Sequence, residues 1–592
     1  KNLRNNSRLG DFMTTVTLDT VQSHKESFLT TYVFSMDHKM IGKQFLIASF
    51  LMLFLGGCLA MAVRWQLGFP DTPLPGGTLL PETMVDEDGF MLPEFYNVLF
   101  SMHASIMIFF AVIPLLNGWF ANFVLPLQIG ARDMASPLLN MISFWFYVLA
   151  GIIVLSGFFV EGGAAAAGWT SYPPLSALAG MGQTLWIIGV MILGFSSIMG
   201  SINYITTVFK LRAPGMAFGR MPLPVWAIFI TAFMTLLATP VLTTAMIMLL
   251  LDNAFGTSFF LPELIVSGEL TETSGGKPLL YQHIFWFYSH PAVYIMIMPA
   301  FGVVSEVISV FSRKPIFGYK MMVGSLISIA GMSFIVWAHH MYQSGLNATA
   351  AKFFMFTTIV ITIPPTILIF NWLATLLGGN IRLRVPMLHA LAFLSMFMIG
   401  GLSGLFLAST YGDIFFHDTY FVVAHLHYVL FGGSLFGIFA GTTYWFPKAF
   451  GRMMNQRLGQ IHFWLTLIFF NLTFFTMHFL GFTGHMRRIA EPMNYPFLES
   501  TQGLHTFITI SALILGASQL IFAFDFLRSI FRGEEAPANP WKANTLEWSV
   551  KMPGHGNWGT TVPIVYHGPY EYSHPQVQED FLPQHLHRAG IN

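Results

Sequence analysis

Long apolar stretches separated by short polar segments dominate the chain from residue 44 onward. A membrane-spanning helix needs about 20 mostly apolar residues. Twelve stretches meet this need, and their length and uniform apolarity favour helices over barrel strands, because a helix satisfies its own backbone polar groups in lipid. The predicted spans are 44–64, 96–126, 138–160, 183–208, 223–251, 283–311, 320–342, 353–378, 387–409, 420–446, 459–481 and 504–528.

The distribution of basic residues predicts the orientation of these spans. With a cytoplasmic N-terminus, the inner segments up to Arg532 hold 20 Lys and Arg residues, and the outer ends and loops hold five. An excess of positive charge inside is the expected bias. We therefore predict a polytopic membrane protein with both termini cytoplasmic: an N-terminal segment (1–40) without a cleaved signal peptide, a twelve-helix domain (41–532) and a polar tail (533–592).

The composition excludes several classes of protein. Only 9% of the 592 residues are charged and 54% are hydrophobic, whereas soluble proteins carry about 25% charged residues. Lys plus Arg (28) equals Asp plus Glu (28), so no polybasic surface for nucleic acid is predicted. The single cysteine, Cys58, excludes a disulfide framework and a thiolate metal site.

Polar residues inside a membrane are costly and mark functional sites, and six histidines from four predicted helices fall in one layer near the outer side. Four of them lie roughly 8–11 Å below the outer boundary at ~1.5 Å per residue, and an adjacent pair ends the seventh helix. A lone membrane histidine is more often a packing residue, but six at one depth favour a metal site. They are His103, His290, His339, His340, His425 and His427.

The spacing of these histidines limits how they share ligands. His425 and His427 lie about 200° apart around a helix and cannot easily serve one centre, which favours two neighbouring centres. His290 and Tyr294 share one helix face, and the pair His339–His340 can converge on one metal only near a helix end. Imidazoles without thiolates suit copper, iron or zinc, and haem iron also takes axial histidines.

Around these histidines the sequence resembles subunit I, the catalytic subunit of haem–copper oxygen reductases of the A-type cytochrome c oxidase kind. The resemblance runs from about Phe34 into the tail and rests on motifs of high specificity. They are MHASIMIFF around His103, YSHPAVY at 288–294, VWAHHM at 336–341, HDTYFVVAHLHYV at 417–429, GHMRR at 484–488 and GWTSYPPL at 168–175.

The resemblance implies two haems, expected to be haem A, and one copper ion. The implied low-spin haem takes His103 and His427 as axial ligands, and the high-spin haem takes His425. The implied copper ligands are His290, His339 and His340. Tyr294 would be bonded covalently to His290 and would supply an electron and a proton when the O–O bond breaks.

The resemblance also implies contacts at the outer edge of the haems. His417 and Asp418 match a magnesium site at a subunit interface. Arg487 and Arg488 match residues that pair with haem propionates, and Arg64 matches a donor to the formyl group of the low-spin haem.

One proton route is expected from the cytoplasm to the buried site. Asp133 in an inner loop, flanked by Asn122 and Asn140, and then Ser196 and Ser197 match the main uptake channel of the family.

This channel ends differently from that of many members. The usual channel glutamate is Ala292 here, and Tyr288 and Ser289 precede His290 as in a variant group of the family. We expect these hydroxyls to order the terminal waters.

A second, lysine-dependent channel is in doubt because the lysine position is Leu368 and a neighbouring threonine is Pro365. A replacement route is predicted along three threonines at i, i+4 and i+8 of the eighth helix and two residues of the sixth. The alternative is that the threonines bond to their own helix carbonyls and that the glutamate faces water. The residues are Thr358, Thr362, Thr366, Ser305 and Glu306.

The predicted function is reduction of O2 to water with electrons from cytochrome c, coupled to proton pumping. A quinol oxidase is the first alternative, but Leu55 and Leu59 replace the Arg and Asp that quinol-oxidising relatives carry. A nitric oxide reductase would lack Tyr294, and a twelve-helix transporter with a polar histidine site would contain no haem.

The expected partners follow from what the chain lacks. It has no cysteine motif for a dicopper centre, so electrons must arrive through a subunit II that carries this copper site and receives them from a cytochrome c domain. Subunit III, further small subunits and a larger respiratory supercomplex are also expected, and nucleic acid is not.

Overall fold

The predicted apolar stretches form long helices in the computed structural model, which describes residues 27–266, 269–270, 275–551, 553–554, 556–558, 561–575 and 577–587. Eleven helices within these ranges are long and apolar enough to cross a membrane. The chain is therefore an all-α polytopic membrane protein, as predicted. With α7, which is too short to be one of these eleven, the helices are α1 (His38–Gly68), α2 (Pro93–Ile129), α3 (Pro137–Phe159), α4 (Met181–Lys210), α5 (Leu223–Phe255), α6 (Pro278–Ser312), α7 (Tyr319–Ser333), α8 (Ala348–Leu376), α9 (Val385–Ala408), α10 (Tyr420–Phe450), α11 (Gln456–Phe482) and α12 (Pro496–Arg532).

The predicted seventh span, 320–342, differs from a regular helix. Helix α7 ends at Ser333, and the chain continues as a 3-10 helix at Trp337–Met341. Two adjacent side chains lie about 100° apart on an α-helix, so regular geometry would turn His339 and His340 away from each other. The change of helix type therefore confirms that this pair sits at a relaxed helix end.

Several other helices are irregular. Helix α2 contains π-helical turns at Ile106–Val112 and Pro114–Phe120, and α10 contains one at Leu430–Leu435. Helix α8 is interrupted between Val360 and Ile363. Short π-helical segments inside α-helices are frequent at functional sites. Outside the spans, strands β1 (Ile265–Val266) and β2 (Glu269–Leu270) form an antiparallel pair.

Helix α6 is the centre of the bundle and α1 lies at its edge. In the most apolar part of each helix, 89% of the residues of α6 are buried but only 17% of those of α1. The exposed side chains of α1 include Ile47, Leu51 and Phe54, which repeat at helical spacing and form a lipid-facing stripe. The polar residues of α6 are therefore enclosed by protein.

The tail folds back over one end of the bundle, which we call the tail face. Arg313, just after α6, is fully buried and donates from Nε and Nη2 to both carboxylate oxygens of Asp580 (3.0 and 2.7 Å). Arg382 adds a contact of 2.8 Å to the same carboxylate. The guanidinium of Arg313 also donates to the carbonyls of Trp541 and Lys542. This clamp anchors the tail over the inner ends predicted from the charge pattern.

Candidate metal centre

Three histidines converge between α6 and the 3-10 helix at Trp337–Met341. One ring nitrogen from each of His290, His339 and His340 lies within 4.8 Å of the others. His290 Nδ1 and His340 Nε2 are 3.3 Å apart. Three imidazoles without a thiolate suit copper, zinc or iron. The structure thus brings together the three residues predicted as copper ligands.

Neighbouring side chains orient two of these rings. The Thr358 hydroxyl donates to the Phe354 carbonyl (2.5 Å), so it accepts from His339 Nδ1 at 3.0 Å and leaves His339 Nε2 for a metal. The Trp286 indole stacks on His340 with centroids 3.6 Å apart and planes 10° apart. Such outer partners fix the tautomer and direction of a metal-binding histidine.

Tyr294 lies beside this triad, one helical turn after His290. The two ring centroids are 5.1 Å apart with planes inclined by 70°. The Nε2 atom of His290 is buried and has no hydrogen-bond partner. The predicted common face of these two residues is confirmed, and His290 Nε2 is free for the expected link to Tyr294.

A second pair of histidines faces across a gap. The rings of His103 on α2 and His427 on α10 are nearly parallel (6°), with centroids 6.4 Å apart. Their Nδ1 atoms donate to the carbonyls of Gly56 and Val423, both at 2.8 Å. This leaves both Nε2 atoms for a metal, and the gap accommodates one ion with a bond of about 2 Å to each ring. The arrangement fits two axial ligands of one haem.

His425 points to the other side of α10. Its Nδ1 lies 2.9 Å from the Gly400 carbonyl and 3.0 Å from the Ser403 hydroxyl, both on α9. His427 instead stacks on Phe474 of α11. The predicted opposite directions of these two histidines are therefore confirmed, and a bonded Nδ1 again leaves Nε2 for one axial position.

The predicted magnesium residues lie at the end of the bundle opposite the tail face. Asp418 forms a two-point contact with Arg487 (2.6 and 2.8 Å). His417 lies 3.9 Å from Asp418 and 3.6 Å from Asp413, a carboxylate that the sequence did not single out. The hydrogen bond to Asp413 raises the pKa of His417, whereas Arg487 and His417 outweigh burial and lower the pKa of Asp418. Carboxylate oxygens suit magnesium.

The other two predicted arginines, Arg488 and Arg64, both contact protein groups, and Arg64 keeps one hydrogen-bond donor unpaired. Arg488 lies 5.5 Å from the ring centroid of Phe100, and burial together with the charge of Arg487 lowers its pKa to about 10. Arg64 donates from Nη2 to the His505 carbonyl and the Thr509 hydroxyl, each at 3.0 Å. Its Nε is buried without a partner, which leaves one donor for a haem substituent.

A cavity of about 60 Å³ lies on the first predicted proton route. One water needs at least about 10–15 Å³ of such volume, so a short water chain fits. Polar atoms near it remain unpaired: both side-chain atoms of Asn140 and Oδ1 of Asn122 have no partner. The lining includes the predicted Ser196, Ser197 and Tyr288 and seven polar residues that the sequence did not single out: Asn117, Ser143, Tyr147, Ser201, Tyr204, Thr235 and Thr239.

The mouth of this route lies under the tail. Burial raises the pKa of Asp133, and the nearby His38 opposes this shift. Asn557 of the tail donates to the Ala131 carbonyl at 2.8 Å and accepts from Lys39 at 2.9 Å. Contacts between residues more than 400 positions apart carry no sequence signal.

The predicted second route is only partly assembled. Ser305 accepts from Trp372 (2.9 Å) and Thr358 bonds His339, but these residues are not joined to the remaining threonines. Thr362 and Thr366 donate to the carbonyls of Ile359 and Thr362, which was the alternative considered, and Thr366 is exposed. The interruption of α8 at 361–362 removes the regular spacing on which the predicted common face depended.

Glu306 does not face water, which corrects the alternative considered for it. It is fully buried, because the tail covers the end of α6.

The comparisons with known proteins agree with this geometry. The family model described as Cytochrome C and Quinol oxidase polypeptide I matches residues 40–515. Cytochrome c oxidase subunit 1 of Synechocystis sp. is 48% identical over 542 residues, 91% of this chain and 92% of the relative. Alternative cytochrome c oxidase subunit 1 of Bradyrhizobium diazoefficiens is 43% identical over 587 residues, 98% of this chain and 96% of the relative.

A solved structure supports the fold. A chain of a heme-copper terminal oxidase dimer superposes with a TM-score of 0.70 over 84% of each chain, at 17% identity. Such low identity speaks for the fold alone, whereas the family match covers most of the chain. The chain therefore belongs to the cytochrome c and quinol oxidase polypeptide I family and is the catalytic subunit of a terminal oxidase.

Proposed function

We propose that this subunit reduces O2 to water with electrons from cytochrome c and couples the reaction to proton pumping across the bacterial inner membrane. The observation that carries the proposal is the arrangement of six histidines: a nitrogen triad at one site and a parallel pair at another. His425 turns away from the pair and provides a single axial ligand for a third metal position. The relatives' names support cytochrome c rather than quinol as donor.

The histidines divide into ligand sets by the nitrogens they leave free. His103 and His427 would hold a low-spin haem, and His425 a high-spin haem with one open position. His290, His339 and His340 would hold copper. The bound haems and copper would supply the redox chemistry of O2 reduction, with haem A as the expected haem.

The protein residues around these ligands supply orientation and protons. Thr358, Gly400 and Gly56 hold the Nδ1 atoms of their histidines, which directs each Nε2 toward its metal. Tyr294, next to His290, would donate a proton and an electron from its phenol.

Protons would reach the site mainly from Asp133. The route continues past Asn122 and Asn140 into the cavity lined by Ser196 and Ser197, and ends at the hydroxyls of Tyr288 and Ser289. Unpaired amide and hydroxyl groups next to a water-sized cavity support this path, because each can bond an ordered water. A second route would use Thr358, Ser305 and Glu306.

The opposite end of the bundle would face the partner subunits. Magnesium would bind at His417 and Asp418, with Asp413 as an additional carboxylate. Arg487 and Arg488 would pair with haem propionates, and Arg64 with a formyl group through its free Nε. Subunit II with the copper site that receives electrons, subunit III and small subunits would complete the enzyme, with a supercomplex as the largest assembly.

The decisive experiment combines reduced-minus-oxidised spectroscopy, metal analysis and oxygen uptake on the purified complex. We expect two haems and one copper per subunit I, and oxygen uptake with reduced cytochrome c. The variant His340→Ala should lose copper and keep both haems, whereas His389→Phe, a buried histidine outside the ligand sets, should keep all three. Absence of haem would overturn the proposal, and uptake with quinol alone would overturn the donor.

A further inference from the structure

Two buried carboxyl groups meet where the tail covers α6. Glu306 lies near the tail-face end of α6, and Glu547 lies in the tail. Neither side chain is exposed to solvent. Shared neighbours bring the two groups together, because the consecutive residues Tyr444 and Trp445 bond Glu306 and Glu547, and Thr545, two residues before Glu547, bonds Glu306. Only Glu306 had been singled out from the sequence.

The hydrogen-bond partners of both carboxyl groups are neutral. Glu306 Oε1 accepts from the Thr545 hydroxyl at 3.4 Å and the Tyr444 hydroxyl at 3.5 Å, and Tyr570 also bonds this carboxyl group. Glu547 Oε1 accepts from Gln128 at 3.0 Å and from the Trp445 indole at 3.1 Å. In the part of the chain that the structure describes, no Lys, Arg or His side chain hydrogen bonds to either group.

The nearest basic groups are engaged elsewhere. The Lys448 ammonium donates to the carbonyls of Ala538, Val550 and Lys551 and attracts Glu547 only through space. Arg313 lies 4.7 Å from the ring centroid of Tyr572 and is bonded to Asp580. Lys448 and Arg313 therefore hydrogen bond to groups other than the two glutamates.

Each carboxyl group also keeps one oxygen without a partner. Oε2 of Glu306 and Oε2 of Glu547 are both buried and unbonded. An unpaired buried carboxylate is costly, and two neighbouring carboxylates do not both ionise freely because like charges disfavour each other. Burial accordingly raises the pKa of Glu547. A proton can bind at either of these free oxygens.

We propose that Glu306 and Glu547 share one proton and together form the proton-accepting end of the second route. This inference rests on the proposed oxidase function. The tail is then part of the proton-uptake machinery, since it supplies one of the two acceptors and the hydroxyls of Thr545 and Tyr570.

The test is an infrared titration of the protonated carboxyl band in the purified oxidase complex. The variants are Glu306→Gln, Glu547→Gln and both together, with Glu535→Gln as a matched control because this tail glutamate is exposed. In each single variant, the midpoint of the remaining carboxyl group should fall by at least about 1 pH unit, since its repelling neighbour is neutral. The double variant should lose the band, and Glu535→Gln should match the parent.

An unchanged or higher midpoint in either single variant, or a band that survives in the double variant, would overturn the pairing. Gln preserves the shape of the site, so a purely structural role would leave the midpoints in place.

Reduction kinetics of the high-spin haem provide the second measurement. Each single variant should slow this step several-fold, and the double variant should be no slower than the slower single variant, because both residues act as one unit. Normal reduction in Glu547→Gln would overturn the role of the tail. These outcomes are separate from failure of the oxidase proposal, which would show as absent haem in the parent protein.

Discussion

Polar residues lie on two sides of α6 but differ in how they are bonded. On the side of α2–α5, a cavity of about 60 Å³ is lined by the unpaired hydroxyl of Thr239, and Asn122, whose Oδ1 is also unpaired, bonds the lining residues Gly118 and Tyr204. On the side of α8, Thr362 and Thr366 are bonded to their own helix carbonyls. Unused hydrogen-bonding groups beside a cavity, rather than polar composition, therefore distinguish a proton route from polar residues that only pack between helices.

The largest loss of activity is expected from a substitution at Asp133, where the proton route on the α2–α5 side begins. Asp133→Asn removes the carboxylate that collects protons there, so oxygen turnover of the complex should fall by about tenfold or more, within the range known for loss of a positioned acid or base. Oxygen uptake with reduced cytochrome c measures it. Glu535→Gln, an exposed tail carboxylate, is the control. Equal turnover in both variants would contradict a route through Asp133.

The second largest loss of activity is expected from substitutions at Tyr288 and Ser289, where the same proton route ends. Replacing both Tyr288 with Phe and Ser289 with Ala removes the hydroxyls at the end of the cavity. We expect a several-fold slower proton-coupled turnover because the terminal waters lose two partners, and pH measurements on vesicles should show less pumping. Ser395→Ala, which removes a hydroxyl bonded to its own helix, is the control. Unchanged pumping in the double variant would refute the assignment.

Removing the contact between Arg313 and Asp580 that anchors the tail should lower the stability of the protein moderately. Asp580→Asn leaves the buried Arg313 without its carboxylate, and hydrogen bonds between charged groups contribute about 1.5–3 kcal/mol. The thermal unfolding temperature of the complex should fall, with Glu579→Gln as the exposed control.

The pH dependence of this clamp follows from its charges. The hydrogen bond and charge of Arg313 lower the pKa of Asp580. The clamp therefore stabilises the folded tail fully above the ordinary aspartate pKa of about 3.9 and loses strength as pH falls through the lowered value. A loss of tail protection from protease between pH 8 and 6 that is absent in Asp580→Asn would contradict this sign.

The smallest effect is expected on the α8 side. Thr366→Val removes a hydroxyl that is exposed and bonded to its own helix, so turnover and haem reduction should stay within experimental error. Thr358→Val gives the contrast, because that hydroxyl orients His339 and its loss should lower copper content. A slow reduction of the high-spin haem in Thr366→Val would place this residue back on a proton route.

Much of the site was predictable because helix geometry is local. A rotation of about 100° per residue separates His425 from His427 and aligns His290 with Tyr294, whatever the neighbouring helices do. The break after α7 was also foreseeable, since two adjacent histidines cannot meet on a regular helix. The prediction that Thr358, Thr362 and Thr366 share one helix face was wrong, because an interruption inside α8 changes the rotation per residue on which it depended.

The sequence by itself determined the membrane spans, the depth of the histidines and the directions of side chains on each helix, because these follow from length, hydrophobicity and a fixed rotation per residue. Only the tertiary structure decided which hydrogen-bonding atoms remain free, how the tail covers the bundle and why Glu306 is buried. Those features depend on contacts such as that between Thr545 and Glu306, which are 239 residues apart. Burial and pairing are properties of the assembled neighbours, and no local pattern in the chain encodes them.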